Sequence, residues 1–180
     1  MLGAPSREIR YEIRDNMVRF YYSVPRKYET LITDPNLDPS VAYRTMKSDV
    51  DTFLSMSFEK LCAGYLVAHR NVVEIGRWWG SDGGEHADVD IVAKVLDDNL
   101  KTGYVVAECK FRNRKAAVSV AYILMERAER MRGLVNPEFV IFSFGGFEDK
   151  LVDFAEDHGI RLVGMEGFVG GSSCRNGEPR

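Results

Sequence analysis

Residues 86–112 read HADVDIVAKVLDDNLKTGYVVAECKFR, and no other stretch constrains the fold as much. Two apolar runs, HADVDIVAKVL and TGYVVAECKFR, flank the polar turn DDNLK. Strand-length apolar runs joined in this way form a hairpin. Side chains two apart on a strand share a face. Val89, Ile91 and Ala93 therefore turn toward a core, and Asp88 and Asp90 turn away from it. On the partner strand Val105, Val106 and Ala107 suit a buried interior. The run then ends in Glu108 and Lys110, which share a face, while Cys109 takes the other.

The flanking segments set the architecture. From Asp38 to about His69 apolar residues recur at spacings of three and four, and Leu54, Phe58, Leu61, Cys62, Tyr65 and His69 form one stripe of a long helix with Glu59 beside it. NVVEIGRWWG, 71–80, is a strand preceding the hairpin. Residues 116–132 return to helical period, with Ala117, Ala121, Leu124, Ala128 and Met131 on one face. EFVIFSF, 138–144, is a continuous apolar run that suits a fully buried strand. A helix at 147–158 and a short strand at 160–165 follow. The order α-β-β-β-α-β, continued by a helix and a strand, predicts an α/β fold with a mixed central sheet and helices on both faces. Ahead of this core, REIRYEIRD reads as a short strand turning at Asp15–Asn16. An aromatic helix with Phe20, Tyr21 and Tyr22 follows and ends at Pro25, and ITDPNLDPS, 32–40, reads as a loop. The expected division is an N-terminal segment 1–37, a domain 38–168 and a flexible tail 169–180.

If the hairpin forms, Asp90 and Glu108 lie on neighbouring strands with their carboxylates converging. Two carboxylates that close repel unless one is protonated, a lysine neutralises them, or a cation sits between them. Mg²⁺ takes oxygen ligands, keeps several waters and is held by one or two carboxylates plus substrate phosphate. Such an ion orients a phosphodiester and lowers the pKa of a bound water, and Lys110 is placed to orient that water or stabilise charge on the phosphorane. Glu59 is placed to hydrogen-bond or ligate at the rim. The plainer alternative for Glu108 and Lys110 is a strand-end salt bridge of little energetic weight. For Asp88 the plainer reading, a solvated strand end, is preferred.

The ordered set Glu59, Asp90 in VDIVA, then Glu108 and Lys110 in ECK, followed by a helix and a strand, resembles the PD-(D/E)XK nuclease superfamily. More narrowly, IRDNMVRFYY, FEKLC, IGRWWG, DVDIVA and AECKF are similar to a domain of unknown function at the C-terminus of archaeal-type AAA-like ATPases. The resemblance covers nearly the whole chain. It implies a restriction-endonuclease-like core in which Asp90 and Glu108 hold Mg²⁺ or Mn²⁺, and Lys110 and Glu59 are catalytic. It also implies DNA as substrate and an ATPase domain or subunit as partner. No G-x-x-x-x-G-K-[ST] occurs, so no P-loop ATP site is expected in this chain, which is either a fragment or a free-standing relative.

Composition narrows the classes further. A net charge of −3 argues mildly against tight unaided DNA binding, although an acidic cation site hides its function from such a count. Four basic residues fall in KFRNRK, 110–115, so Arg112, Arg114 and Lys115 are candidate phosphate contacts beside a solvated-connection alternative. Trp78 and Trp79 are expected to pack one on each face of a strand end, with base stacking the sharper alternative. Tyr122 is expected to pack or to point at the site rim. His69, His86 and His158 lack ligand-set spacing, and Cys62, Cys109 and Cys174, wide apart and odd in number, read as reduced thiols. With no secretory h-region and no membrane-length apolar run, a cytoplasmic protein with no membrane partner is expected, and a homo-oligomer is left open.

Overall fold

A computed structural model of the chain describes residues 13–82, 85–131 and 133–169, with the side chains of 81, 82 and 85–87 also left undescribed. The N-terminal strand expected within REIRYEIRD, the tail beyond 169, Cys174 and the side chain of His86 lie outside what is described. The chain divides into two units, 1–58 and 59–180.

The first unit holds α1 (Asn16–Ser23), a 3-10 turn (Pro25–Tyr28), α2 (Glu29–Ile32) and the first part of α3 (Pro39–His69). The expected turn at Asp15–Asn16 is a helix cap. The Asp15 carboxylate accepts from the backbone N–H groups of Met17 and Val18, both at 2.9 Å, satisfying donors that the first turn leaves orphaned. The Phe20 ring packs 5.2 Å from Phe53, the Arg19 guanidinium lies over that same ring, and Tyr21 and Tyr22 stay exposed.

The second unit is built on a five-stranded sheet in sequence order β1-β2-β3-β4-β5, with β1 (Asn71–Asp82), β2 (Glu85–Leu96), β3 (Thr102–Lys110), β4 (Glu138–Ser143) and β5 (Arg161–Val163). β1, β2 and β3 pair antiparallel, and β3, β4 and β5 pair parallel. The expected hairpin is present, with Ile91 opposite Ala107 and Leu96 opposite Thr102. α4 (Ser119–Glu129) and α5 (Asp149–His158) are the crossovers, and α6 (Glu166–Val169) follows β5. Parallel crossovers are right-handed in nearly all proteins, so a sheet that always advances in one direction carries both on one face. The rings of Tyr122 on α4 and Phe154 on α5 lie 4.7 Å apart there.

The C-terminal part of α3 takes the opposite face, with Tyr65 edge-on to Phe142 and Phe168 at 5.6 and 5.3 Å. Both sheet faces are thus covered, and the central strands are apolar on both sides: Val105, Val106, Ala107, Val140, Ile141 and Phe142 are all buried. The helical stripe differs from expectation. Phe58, Cys62, Tyr65 and Leu66 are buried, whereas Leu54, Leu61 and His69 are exposed. Spacings of three and four tolerate a rotation of the buried arc, and the arc settles on Leu66. On α4, Ala121, Leu124 and Ala128 are buried as expected, but Ala117 precedes the helix.

The turns after β3 and β4 are tied together. Phe144 N donates to Lys110 O at 3.0 Å, Ala116 N to Gly146 O at 2.9 Å and Glu148 N to Ala116 O at 3.0 Å. The rings of Phe111 and Phe144 pack 4.9 Å apart. Gly145 sits where the backbones meet, and a Cβ there would fall 2.5 Å from the carbonyl oxygens of both Arg112 and Arg114. Gly145→Ala should therefore cost about 1–3 kcal/mol, the range for forced overpacking, read as a lowered midpoint in denaturant unfolding. An unchanged midpoint would mean that the two turns separate freely.

Candidate functional site

β3 ends in a burial problem. Glu108 is only 6% exposed, and a charged carboxylate in such a place is costly without partners. Lys110, on the same face by the two-residue period, donates from Nζ to Oε1 at 2.5 Å. Arg127, from the last turn of α4, brings Nη1 to 3.6 Å from Oε2, close enough for attraction and too far for a hydrogen bond. Oε2 is buried and accepts no hydrogen bond. Burial pushes the Glu108 carboxyl above its ordinary pKa and the charge of Asp90 adds to the push, with Lys110 and Arg127 opposing it.

Asp90 is set by the way β2 leaves its neighbours. The paired register of β2 with β3 stops at Ile91 and Ala107. Beyond it, Cys109 N donates at 2.9 Å to Asp90 Oδ2. On the other side of β2 the register with β1 slips between Gly76–Val92 and Trp78–Val89, so Asp90 and Ile91 together oppose the single residue Arg77. A bulge of this kind re-aims side chains. Here it sets Arg77 Nη2 3.0 Å from Asp90 Oδ1.

Arg77 also reaches Glu59 Oε1 at 3.5 Å and Asp88 Oδ2 at 3.8 Å. Burial works against its cation, but the hydrogen bond to Asp90 and the charges of Glu59, Asp90 and Asp88 prevail and raise its pKa. Burial likewise lifts the Glu59 carboxyl above its ordinary value, and Asp90 lifts it further while Arg77 opposes.

The four residues singled out from sequence thus fall into one charge cluster at the end of β3. Asp88, expected as a solvated strand end, is 55% exposed and yet tied in. Its carboxylate lies 3.7 Å from Arg127, and its carbonyl accepts from the same guanidinium at 2.8 Å. Sequence reasoning missed Arg77 and Arg127. Arg77 stood inside IGRWWG, a polar interruption in an apolar run, but the bulge that aims it leaves no local signature. Arg127 is one of several helix arginines, and only the tertiary fold brings it to Glu108.

The remaining candidates lie outside the cluster. Arg112, Arg114 and Lys115 are exposed in the turn that follows Lys110. The paired packing expected of the tryptophans holds on one side only. Trp78 is half-buried and covers Gly80, whereas Trp79 is 65% exposed. Tyr122 packs on Phe154. His69 stacks on Tyr65 and His158 on Phe154. Cys109 is held well on the protonated side by its hydrogen bond with Cys62 and then by burial.

A family model, DUF234, described as archaeal and bacterial proteins of unknown function, matches residues 20–121, more than half of the chain. The chain belongs to this family. It is 26% identical over 171 residues to the uncharacterized protein MJECL04 of Methanocaldococcus jannaschii, covering 91% of this chain and 36% of that protein, and so spans about a third of that relative's length. Among solved structures, AF1548, a protein of unknown function, is 19% identical with a TM-score of 0.46, covering 60% of this chain and 56% of its own. VC1899 from Vibrio cholerae is 15% identical with a TM-score of 0.46, covering 71% and 32%. A repair endonuclease from Pyrococcus abyssi is 19% identical with a TM-score of 0.36, covering 59% and 46%.

The raised Glu108 carboxyl has a consequence for stability. An acid whose folded pKa lies above its unfolded value binds more protons in the folded state within that window, so stability falls as pH rises through it. The window starts near the ordinary value of 4.5 and extends upward. Glu108→Gln removes this contribution. Urea unfolding from acid to neutral pH should show the wild type losing stability relative to Glu108→Gln as pH rises. A parallel pair of curves would show that Glu108 titrates normally.

Proposed function

We propose that this member of the DUF234 family carries a nuclease site of PD-(D/E)XK type, a Mg²⁺- or Mn²⁺-dependent hydrolase acting on DNA phosphodiester bonds. One observation carries the reading: Glu108 is buried in a cluster with Asp90, Glu59 and Lys110 and keeps one oxygen, Oε2, without a hydrogen bond. A purely structural salt bridge more often satisfies both oxygens, because an unsatisfied buried acceptor costs about 1–3 kcal/mol.

The donor chemistry fits a hard cation. Among the described residues no three His, Cys, Asp or Glu side chains are placed as a ready metal centre. Mg²⁺ does not require three, since one or two carboxylates with water and substrate phosphate suffice. Asp90 and Glu108 would hold it, and when bound it supplies Lewis acidity and an activated water. The chain's own residues do the rest. Lys110, on the Glu108 side of the sheet, offers N–H donors to the attacking water or to charge gathering on the phosphorus oxygens. Glu59 closes the rim from α3 and accepts from Arg77. Arg112, Arg114 and Lys115 follow Lys110 directly and present exposed cations along which a phosphate backbone would run. No helix among the described residues is long and apolar enough to cross a membrane. The proposal extends to a cytoplasmic protein acting on DNA with an ATPase domain or subunit, in a domain spanning 38–168, singly or as a homo-oligomer.

One observation favours a second reading, a nuclease-like module that binds a partner without cleaving. Arg77, Lys110 and Arg127 already pair with the carboxylates, so the cluster is close to neutral as it stands. Incubating the protein with plasmid and linear DNA separates the readings. Cleavage should require Mg²⁺ or Mn²⁺, stop with EDTA, and fall on the order of a hundredfold or more in Lys110→Ala, the usual worth of one donor to developing transition-state charge. Activity that survives both chelator and substitution would sink the proposal, and no cleavage with any divalent cation would favour the binding module.

A further inference from the structure

The counter-ion Arg77 has no role in the proposed chemistry, and its position is unusual. It is the one residue of β1 facing the bulged pair Asp90–Ile91, and its guanidinium reaches Glu59, Asp88 and Asp90 at 3.5, 3.8 and 3.0 Å. It therefore occupies Asp90 Oδ1, one of the oxygens that the proposed cation would use. Glu108 Oε2, whose nearest cation is Arg127 at 3.6 Å, is buried and without a hydrogen bond, and the charge of Asp90 is felt at this carboxyl.

Charge counting makes the overlap informative. The cluster holds the carboxylates Glu59, Asp88, Asp90 and Glu108 and the cations Arg77, Lys110 and Arg127, which sum to −1 when all are ionised. A divalent cation takes the set to +1, and one phosphodiester returns it to zero. Arg77 cannot keep its contact with Asp90 unaltered beside a divalent ion on the same carboxylate, because the two cations repel in a partly buried site. The side chain is 45% exposed, so it has room to move, and a guanidinium is well suited to a phosphate.

We propose that Arg77 is the resident counter-ion of this site: it holds Asp90 before a divalent cation arrives and transfers to the substrate phosphate when the cation takes its place. The inference rests on the cation-binding reading of Asp90 and Glu108. It makes Arg77 a gate on cation affinity and a phosphate contact, two properties that a purely structural ion pair does not combine.

Calorimetric titration of the full chain with Mn²⁺, without nucleic acid, tests the first property and is independent of cleavage. Arg77→Gln, which removes the competing cation, should bind Mn²⁺ about tenfold more tightly than wild type, with Arg77→Lys between them. Asp90→Asn should lose binding in either background. Fluorescence anisotropy of a labelled oligonucleotide in Ca²⁺ tests the second property: Arg77→Gln should bind more weakly and show a shallower salt dependence. Mn²⁺ affinity that is unchanged or weaker in Arg77→Gln overturns the gate and leaves the proposed function standing. Oligonucleotide affinity unchanged in Arg77→Gln overturns the transfer to phosphate. No Mn²⁺ binding by any variant overturns the cation reading of the site and this inference with it. If Arg77→Gln does not melt cooperatively, Arg77→Lys carries the test, and wild-type affinity for both ligands in that variant overturns the inference.

Discussion

The charge balance at the end of β3 turns on one carboxylate, Glu108, buried at the end of a central strand. Its neighbours Val106 and Ala107 are fully buried and Glu108 itself is nearly so, which makes its charge costly to solvate. The fold answers with Lys110 on the same strand and Arg127 on the helix packed against it, and it still leaves one oxygen without a hydrogen bond. A core that only needed stability would put an apolar residue there, because buried ion pairs are often no better than well-packed hydrophobes of the same volume. Retaining a costly group with an open acceptor is the pattern expected where a ligand completes the set.

The second carboxylate is placed by a different device. Asp90 lies where two regular pairings break down together: the ladder to β3 has ended, and the pairing with β1 carries a bulge. At this level of the sheet side-chain hydrogen bonds to Asp90 take over where the regular ladders are interrupted. Cys109 N donates to the Asp90 carboxylate from one side and Arg77 from the other. The family match, 20–121, spans Glu59, Arg77, Asp90, Glu108 and Lys110 but stops short of Arg127.

Much of this was legible in the chain, because it depends on local period. Two-residue alternation and the DDNLK turn paired β2 with β3, and the same alternation separated Glu108 and Lys110 from Cys109. The continuous apolar run EFVIFSF marked β4 as buried on both sides. What escaped depends on tertiary context. A bulge has no composition of its own, so Arg77 looked like any strand arginine. The buried arc of α3 rotates toward Leu66 because the sheet decides which flank it covers, and helical spacing cannot distinguish that from an arc through Leu61. Trp79 lies on β1, the edge strand of the sheet, and is exposed among the described residues, whereas adjacent tryptophans on a central strand would both have packed.

The strand order β1-β2-β3-β4-β5 repeats the order of synthesis. Among the described residues no strand is inserted between two that precede it in the chain, so a sheet growing in chain order always has a finished edge to receive the next segment. The charge cluster follows the same schedule with one exception. Glu59, Arg77, Asp88, Asp90, Glu108 and Lys110 have all left the ribosome once β3 is complete, but Arg127 emerges 19 residues after Glu108 (127 − 108). During that interval the acidic centre of the sheet holds one positive charge fewer than in the finished molecule.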